Sequence, residues 1–391
     1  MQLFARTNRG FLSRWWWTVD RNFVACVIAL FACGFVMAFA ASPAVAQHIG
    51  KPIYYFANKQ LLFLVFALLV FLTISMIDTR FIRPLAALIF IGAFLATLAT
   101  LFFGVTAKGA SRWLLFGSLS LQPSEILKPA FVVVSAWLFA RDRAKFDSRG
   151  VVYALSLLVA VCAILALQPD IGQMTLLVLV WMCLYFLAGG SMRLLAMLTM
   201  AAIIVGLYLY ETQPHVASRI DRFIDPSSGD TYQVDRAMDA IKSGGIVGVG
   251  VGDGRIKSFL PDAHSDYVFA VAAEEGGLII GGLIIFCFAF LVWRALWALR
   301  EERDHWVQLS AAGLTCLFGL QAAINLAVNL NLMPSKGMTL PFVSYGGSSL
   351  LGSALTMGML VALLRRRVNG PAPRKTMRAA PMTTATGGGV I

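Results

Sequence analysis

Leu260-Pro261-Asp262-Ala263-His264-Ser265-Asp266-Tyr267 closes the one long polar stretch of this chain, and from Val268 the sequence is apolar to about Trp293. At ~1.5 Å of rise per residue, that run crosses a bilayer as a single helix. Asp266 therefore stands at a membrane mouth. His264 lies two residues before it, and Glu274 and Glu275 follow roughly two turns later. Titratable groups in or beside a span are functional candidates, because hydrocarbon tolerates them poorly. The competing structural reading is a helix N-terminus, where the dipole and the free N–H groups favour acids.

Working outward, the composition agrees with a membrane chain. With 59% hydrophobic and 13% charged residues over 391 positions, a soluble domain could not cover its apolar surface. Further apolar runs lie at about 22–41, 59–77, 81–103, 124–140, 151–167, 171–188, 192–210, 308–331 and 342–364. Together with 268–293 they predict an all-α, polytopic membrane protein of ten transmembrane helices, with one long extracytoplasmic loop between helices 7 and 8. The expected organisation is a basic cytoplasmic head (1–21), the helical domain (22–364, outer loop 211–267) and a disordered cytoplasmic tail (365–391). Most of the 32 Lys and Arg residues fall in the head, the tail and the segments on their side of the bilayer, so both termini are expected to be cytoplasmic. The basic balance then reflects topology and anionic lipid, and nothing points to nucleic acid. Cys26, Cys33, Cys162, Cys183, Cys287 and Cys316 all lie in apolar runs without metal-type spacing and read as packing residues.

Several segments were open to two readings. Ser42-Pro43-Ala44-Val45-Ala46-Gln47 resembles an A-x-A cleavage site, but the preceding apolar core exceeds a typical signal core, which favours a retained first helix. Within the outer loop, Ser218 to Pro226 is turn-prone, whereas Tyr232 to Lys242 places Val234, Met238 and Ile241 on one face as a short amphipathic helix. The glycines from Gly244 to Gly254 lack the strand and the GK[ST] of a nucleotide loop, which leaves a flexible element or amides that approach a phosphate. Glu125 and Lys128, at i and i+3, can neutralise each other on one helix face.

Polar groups gather on the side of Asp266. Ser111-Arg112-Trp113, Gln122-Pro123-Ser124-Glu125 with Lys128, Gln168-Pro169-Asp170-Ile171-Gly172, and Pro334-Ser335-Lys336-Gly337 through Leu340-Pro341-Phe342-Val343-Ser344-Tyr345-Gly346-Gly347-Ser348-Ser349 all lie there. A shared cleft follows better than separate turns and caps. These motifs, with the 264–275 stretch, resemble the SEDS family of peptidoglycan glycosyltransferases over nearly the whole chain. Lys336-Gly337 is similar to the cell-division branch of that family rather than its elongation branch, while Tyr267 and Asp262 stand where Phe and Glu are common.

The resemblance implies a polymerase of lipid II and undecaprenyl-linked glycan at the division septum. It also implies a class B penicillin-binding transpeptidase (FtsI-like) and other divisome membrane proteins as partners. By the same resemblance Asp266 is the catalytic aspartate. Arg112, Lys128, Lys336, Glu125, Asp170, His264, Ser344 and Tyr345 are then expected to bind the substrate and its pyrophosphate. In such a reaction a sugar 4-hydroxyl attacks an anomeric carbon, a carboxylate removes the proton, and cations meet the departing diphosphate. A divalent Mg or Mn ion is the alternative source of that positive charge, with Asp266, Glu274 and Glu275 as its candidate ligands. The alternatives are a lipid II flippase or transporter, an elongation polymerase of the same family, and a scaffold that recruits the transpeptidase. A transporter would spread polar groups along a route through the bilayer.

Overall fold

Ten apolar runs become ten helices because a segment in hydrocarbon must satisfy every backbone group within itself. The computed structural model describes residues 10–48, 50–107, 110–117, 119–141, 148–229, 231–260 and 262–365. A short helix α1 (Phe11–Thr18) precedes α2 (Arg21–His48), α3 (Tyr55–Met76) and α4 (Thr79–Phe103). Strands β1 (Val105–Ala107), β2 (Ala110–Phe116) and β3 (Leu119–Leu121) lead into α5 (Pro123–Phe139), α6 (Ser148–Leu167), α7 (Ile171–Leu187) and α8 (Met192–Thr212). Then come α9 (Pro214–Ile224), α10 (Tyr232–Gly244), α11 (Val268–Leu299), α12 (His305–Asn329) and α13 (Gly347–Leu364).

Among the described residues, eight helices are long and apolar enough to cross a membrane. At 17 residues each, α5 and α7 complete the ten expected positions. The chain is a multi-pass membrane protein. Its core sits where α13 packs against α3, α5 and α12, and most of α5, α12 and α13 is buried. At the other extreme, α8 contains no buried residue. The six cysteines lie free within helices. In the Trp triplet of α1, Trp15 is buried and its Nε1 donates to Ser75 Oγ at 3.1 Å, while Arg21 lies over the rings of Trp16 and Trp17. At the A-x-A-like segment, α2 runs on through Pro43, and the buried Ser42 Oγ accepts from Ala57 N.

Three local expectations are corrected. The segment after α4 is an antiparallel β1-β2-β3 meander, with Val105 opposite Trp113 and Leu114 opposite Leu121. Val105 and Thr106 of β1 and Trp113 and Phe116 of β2 are the β-branched and aromatic residues that favour it. Ser218–Pro226 is not a turn. Its first part belongs to α9, which begins with Pro214 in the helical first turn and is tied to α8 by Tyr210 Oη donating to Asp221 Oδ1 at 2.7 Å.

The glycine stretch offers little to a phosphate, because the amides of Val249 and Gly250 donate to Glu274 O and Glu275 O at 3.0 and 3.1 Å. In return, Leu278 N and Ile279 N donate to Gly245 O and Ile246 O. These bonds replace the helical ones lost at Gly277, whose φ of 64° breaks α11 and suits a residue without Cβ. The amphipathic α10 packs on α11 and caps the bundle. The tail beyond 365 and the head before 10 lie outside the described residues.

Candidate active site

Asp266 belongs to the turn that feeds α11, and that turn is held from two sides. On one side Asn325 Nδ2 and Asn329 Nδ2 donate to its carbonyl at 3.0 and 2.9 Å. Asn329 Oδ1 also accepts from Ala270 N, so one amide locks both the turn and the first turn of α11. On the other side Ser344 Oγ donates to Ser265 O at 2.5 Å, and Tyr345 N donates to His264 O at 2.8 Å. The His264 ring rests 4.7 Å from Phe56 and 5.1 Å from Tyr345, in an aromatic cage. His264, Ser344 and Tyr345 thus build the wall that positions the half-buried Asp266. Burial holds the Tyr345 phenol at about 12, with Tyr55 adding to the effect.

Gly337 closes the site from above. Its φ is 61°, and a Cβ there would lie 3.4 Å from Asp266 Oδ2. Gly337→Ala is expected to cost about 1–2 kcal/mol through left-handed strain, measured by thermal unfolding. Wild-type stability in this variant would show that the loop moves aside. Beside Gly337, burial lowers the pKa of Lys336.

Two of the sequence-nominated cations have other tasks. Lys128 and Glu125 do pair, at 2.8 Å with only 2% and 5% of their side chains exposed. Lys128 also donates to Gln321 Oε1 at 3.0 Å, and Gln173 Nε2 donates to Glu125 Oε1 at 2.6 Å. Lys128 therefore braces α5 against α7 and α12 from within a buried ion pair. Arg112, on β2, donates through Nε to Gln168 O at 3.1 Å and through Nη2 to Pro169 O, and its Nη1 lies 3.6 Å from Asp170 Oδ1. Its side chain is still 31% exposed, so one face of the guanidinium remains toward water. Asp170 caps α7 and accepts from Gln122 Nε2 at 3.2 Å. Burial pushes its carboxyl above the ordinary range, and Arg112 pulls the other way.

The carboxylate trio considered for Mg or Mn is not brought together. Glu274 accepts from the backbone amides of Ile256 and Lys257 at 2.7 and 2.9 Å, and Glu275 is ion-paired with Lys257 Nζ. Among the described residues, no three His, Cys, Asp or Glu side chains gather as a metal-holding group. The residues present do not fit a metal at the proposed trio.

Sequence reasoning quoted Asn325 at the start of the run to Ser349 but missed the roles of two groups. Gln321, Asn325 and Asn329 form an i, i+4, i+8 polar stripe on α12, a legible signal in an otherwise apolar helix. Arg219, on α9, is the other. Its charge senses Asp266, Tyr267, Arg112 and Arg222. Reading 218–226 as a turn hid the i, i+3 placement of Arg219 and Arg222 on one helix face.

The family model described as "Cell cycle protein", covering FtsW, RodA and SpoVE, matches residues 20–369. A Caulobacter vibrioides protein named "Probable peptidoglycan glycosyltransferase FtsW" is 42% identical over 365 residues, 93% of this chain and 94% of that one. The stage V sporulation protein E of Bacillus subtilis is 31% identical over 88% of this chain and 97% of its own. Among solved structures, RodA of Thermus thermophilus superposes with a TM-score of 0.64 at 26% identity, over 88% of this chain and 96% of that chain. A chain from a peptidoglycan synthase complex reaches a TM-score of 0.72 at 24% identity, over 88% and 97% respectively. With a family model matching residues 20–369 and a relative 42% identical over 93% of its length, the chain belongs to the FtsW/RodA/SpoVE family of cell cycle proteins, the SEDS family.

Proposed function

We propose that this chain is a peptidoglycan glycosyltransferase that polymerises lipid II into glycan strands for septal wall synthesis, at the outer face of the cytoplasmic membrane. The observation that carries the reading is the placement of Asp266. Its carboxylate stands at the head of a span, in a turn clamped by two asparagines and by the 344–345 loop. Such a group meets a lipid-anchored substrate just above the headgroups.

In this reading a sugar 4-hydroxyl of one lipid-linked glycan attacks the anomeric carbon of another. Asp266 takes the hydroxyl proton, the new glycosidic bond forms, and the old anomeric C–O bond breaks with its electrons leaving on the lipid diphosphate. A single displacement inverts the anomeric centre. A positioned general base of this kind contributes about 10²–10⁴ in rate. Lys336 and the water-facing side of Arg112 supply positive charge as the diphosphate departs. Glu125, Lys128, Asp170 and Gln173 hold the helix ends on which these groups stand.

Family membership supports the division role, and likeness in fold to a chain of a peptidoglycan synthase complex supports a class B transpeptidase partner. Both termini then face the cytoplasm, where Arg294 and Asp20 pair at 2.5 Å at the opposite end of the bundle from Asp266. The test is strand formation from lipid II by the purified full chain, alone and with its transpeptidase. Glycan strands resolved on a gel are expected, more of them with the partner. If no strands form under either condition while lipid II crosses vesicle bilayers, the protein is a flippase and this assignment fails.

A further inference from the structure

Between α9, the start of α10 and the 331–335 loop lies a cavity of about 180 Å³. That is well above the ~10–15 Å³ needed to admit one water. Arg219, Arg222, Thr231, Asp235, Tyr267 and Ser335 are among its lining residues. It abuts the candidate active site on two sides. Tyr267 directly follows Asp266, and Ser335 leads into Lys336 and Gly337, the glycine that faces the Asp266 carboxylate.

The charged groups around this cavity are not equally engaged. Thr231 Oγ1 donates to Asp235 Oδ2 at 2.6 Å, and Arg222 Nε donates to Ser218 O at 2.7 Å. The Arg219 guanidinium makes no hydrogen bond or ion pair among the described residues. Arg219 is exposed, yet the protein atoms around it and the charges of Arg112 and Arg222 lower its pKa, while Asp266 and Tyr267 act in the opposite sense. An arginine nevertheless stays protonated. Three guanidiniums within electrostatic reach repel one another until an anion arrives, and the guanidinium fork matches phosphate oxygens in pairs.

The geometry points to this cavity as an anion site for the diphosphate of a polyprenyl-linked sugar, with Arg219 as its main contact and Arg222 at its rim. The assignment deepens the glycosyltransferase reading and rests on it. Lys128 is buried in its own ion pair, and Arg112 is largely engaged by Gln168, Pro169 and Asp170. Arg219 is the arginine left beside Asp266 with its fork open. A diphosphate held there places its developing charge next to the base that drives the attack.

The test uses the full-length chain carrying Asp266→Asn, which keeps substrate from turning over, in phosphatidylcholine nanodiscs. Fluorescent undecaprenyl diphosphate is the probe. Adding Arg219→Gln is expected to weaken its binding by about tenfold or more. Arg219→Lys should recover part of the loss, since an ammonium keeps the charge but lacks the fork. Arg222→Gln should weaken binding less. In a chain with Asp266 intact, Arg219→Gln should slow strand synthesis while the melting temperature stays that of wild type.

Equal probe affinity with Arg and Gln at position 219 overturns the assignment. So does displacement of the probe by phosphatidylglycerol at ordinary membrane content, which would make the cavity a headgroup site. If the probe binds through Arg219 but the intact chain makes no strands with its transpeptidase, the anion site stands and the glycosyltransferase reading is what fails.

Discussion

Asp266→Ala and Asp266→Asn are expected to lower lipid II polymerisation by about 10²–10⁴ while leaving the protein folded. The asymmetry follows from how the residue is held. Its backbone carbonyl is bound by Asn325 and Asn329, and the neighbouring carbonyls of Ser265 and His264 are bound by Ser344 and Tyr345. None of those bonds uses the Asp266 side chain. Substituting it therefore removes the base and spares the turn. Asparagine is the sharper probe, because it keeps the size and polarity but cannot accept the proton. Strand length and initial rate on a gel, with size-exclusion profiles as the folding control, decide the matter. Full activity in both variants would make Asp266 a helix-end residue and move the base elsewhere.

Lys257→Ala is expected to be among the most destabilising single changes in the outer region, at about 3–5 kcal/mol. Lys257 and Glu275 are 7% and 1% exposed, and they pair across the glycine-rich loop and the first half of α11. Removing the ammonium leaves the Glu275 carboxylate buried without a counter-charge, since its Oε2 already lacks a partner among the described residues. Truncation also frees the loop whose carbonyls serve the broken turn at Gly277. Thermal unfolding in detergent measures the loss. The paired variant Lys257→Met with Glu275→Gln should regain most of it, because replacing a buried ion pair by neutral groups is often close to neutral. A Lys257→Ala chain as stable as wild type would mean that water reaches this pair.

Long-range partners explain much of what the sequence concealed. The membrane-spanning helices were legible because uninterrupted apolar runs of bilayer length have few other fates. Glu125 and Lys128 were legible as a pair because three residues of helix bring them together. Lys257 and Glu275 are 18 residues apart across a glycine loop, and no local period announces their meeting. The three-residue strands β1 and β3 are too short to show alternation. Helix α9 was obscured by its mixed charges and leading proline, and with it went the position of Arg219. Asp266 was readable from its place before Val268, but what orients it was not. That information lies in Asn325 and Asn329, about sixty positions further along the chain.

The helix with no buried residue has a mechanical consequence. α8 meets α7 and α9, yet none of its 21 residues finds a fully enclosing neighbour in the protein. Leu194, Leu195 and Leu198 rest partly buried on the core, and the remaining surface of the helix is left to acyl chains. Its tilt answers to hydrocarbon thickness, as for any span whose length must match its solvent. Tyr210 carries that tilt into α9 through Asp221. α8 thus works as an outrigger, with the bilayer bearing on one end and the arginine helix riding on the other.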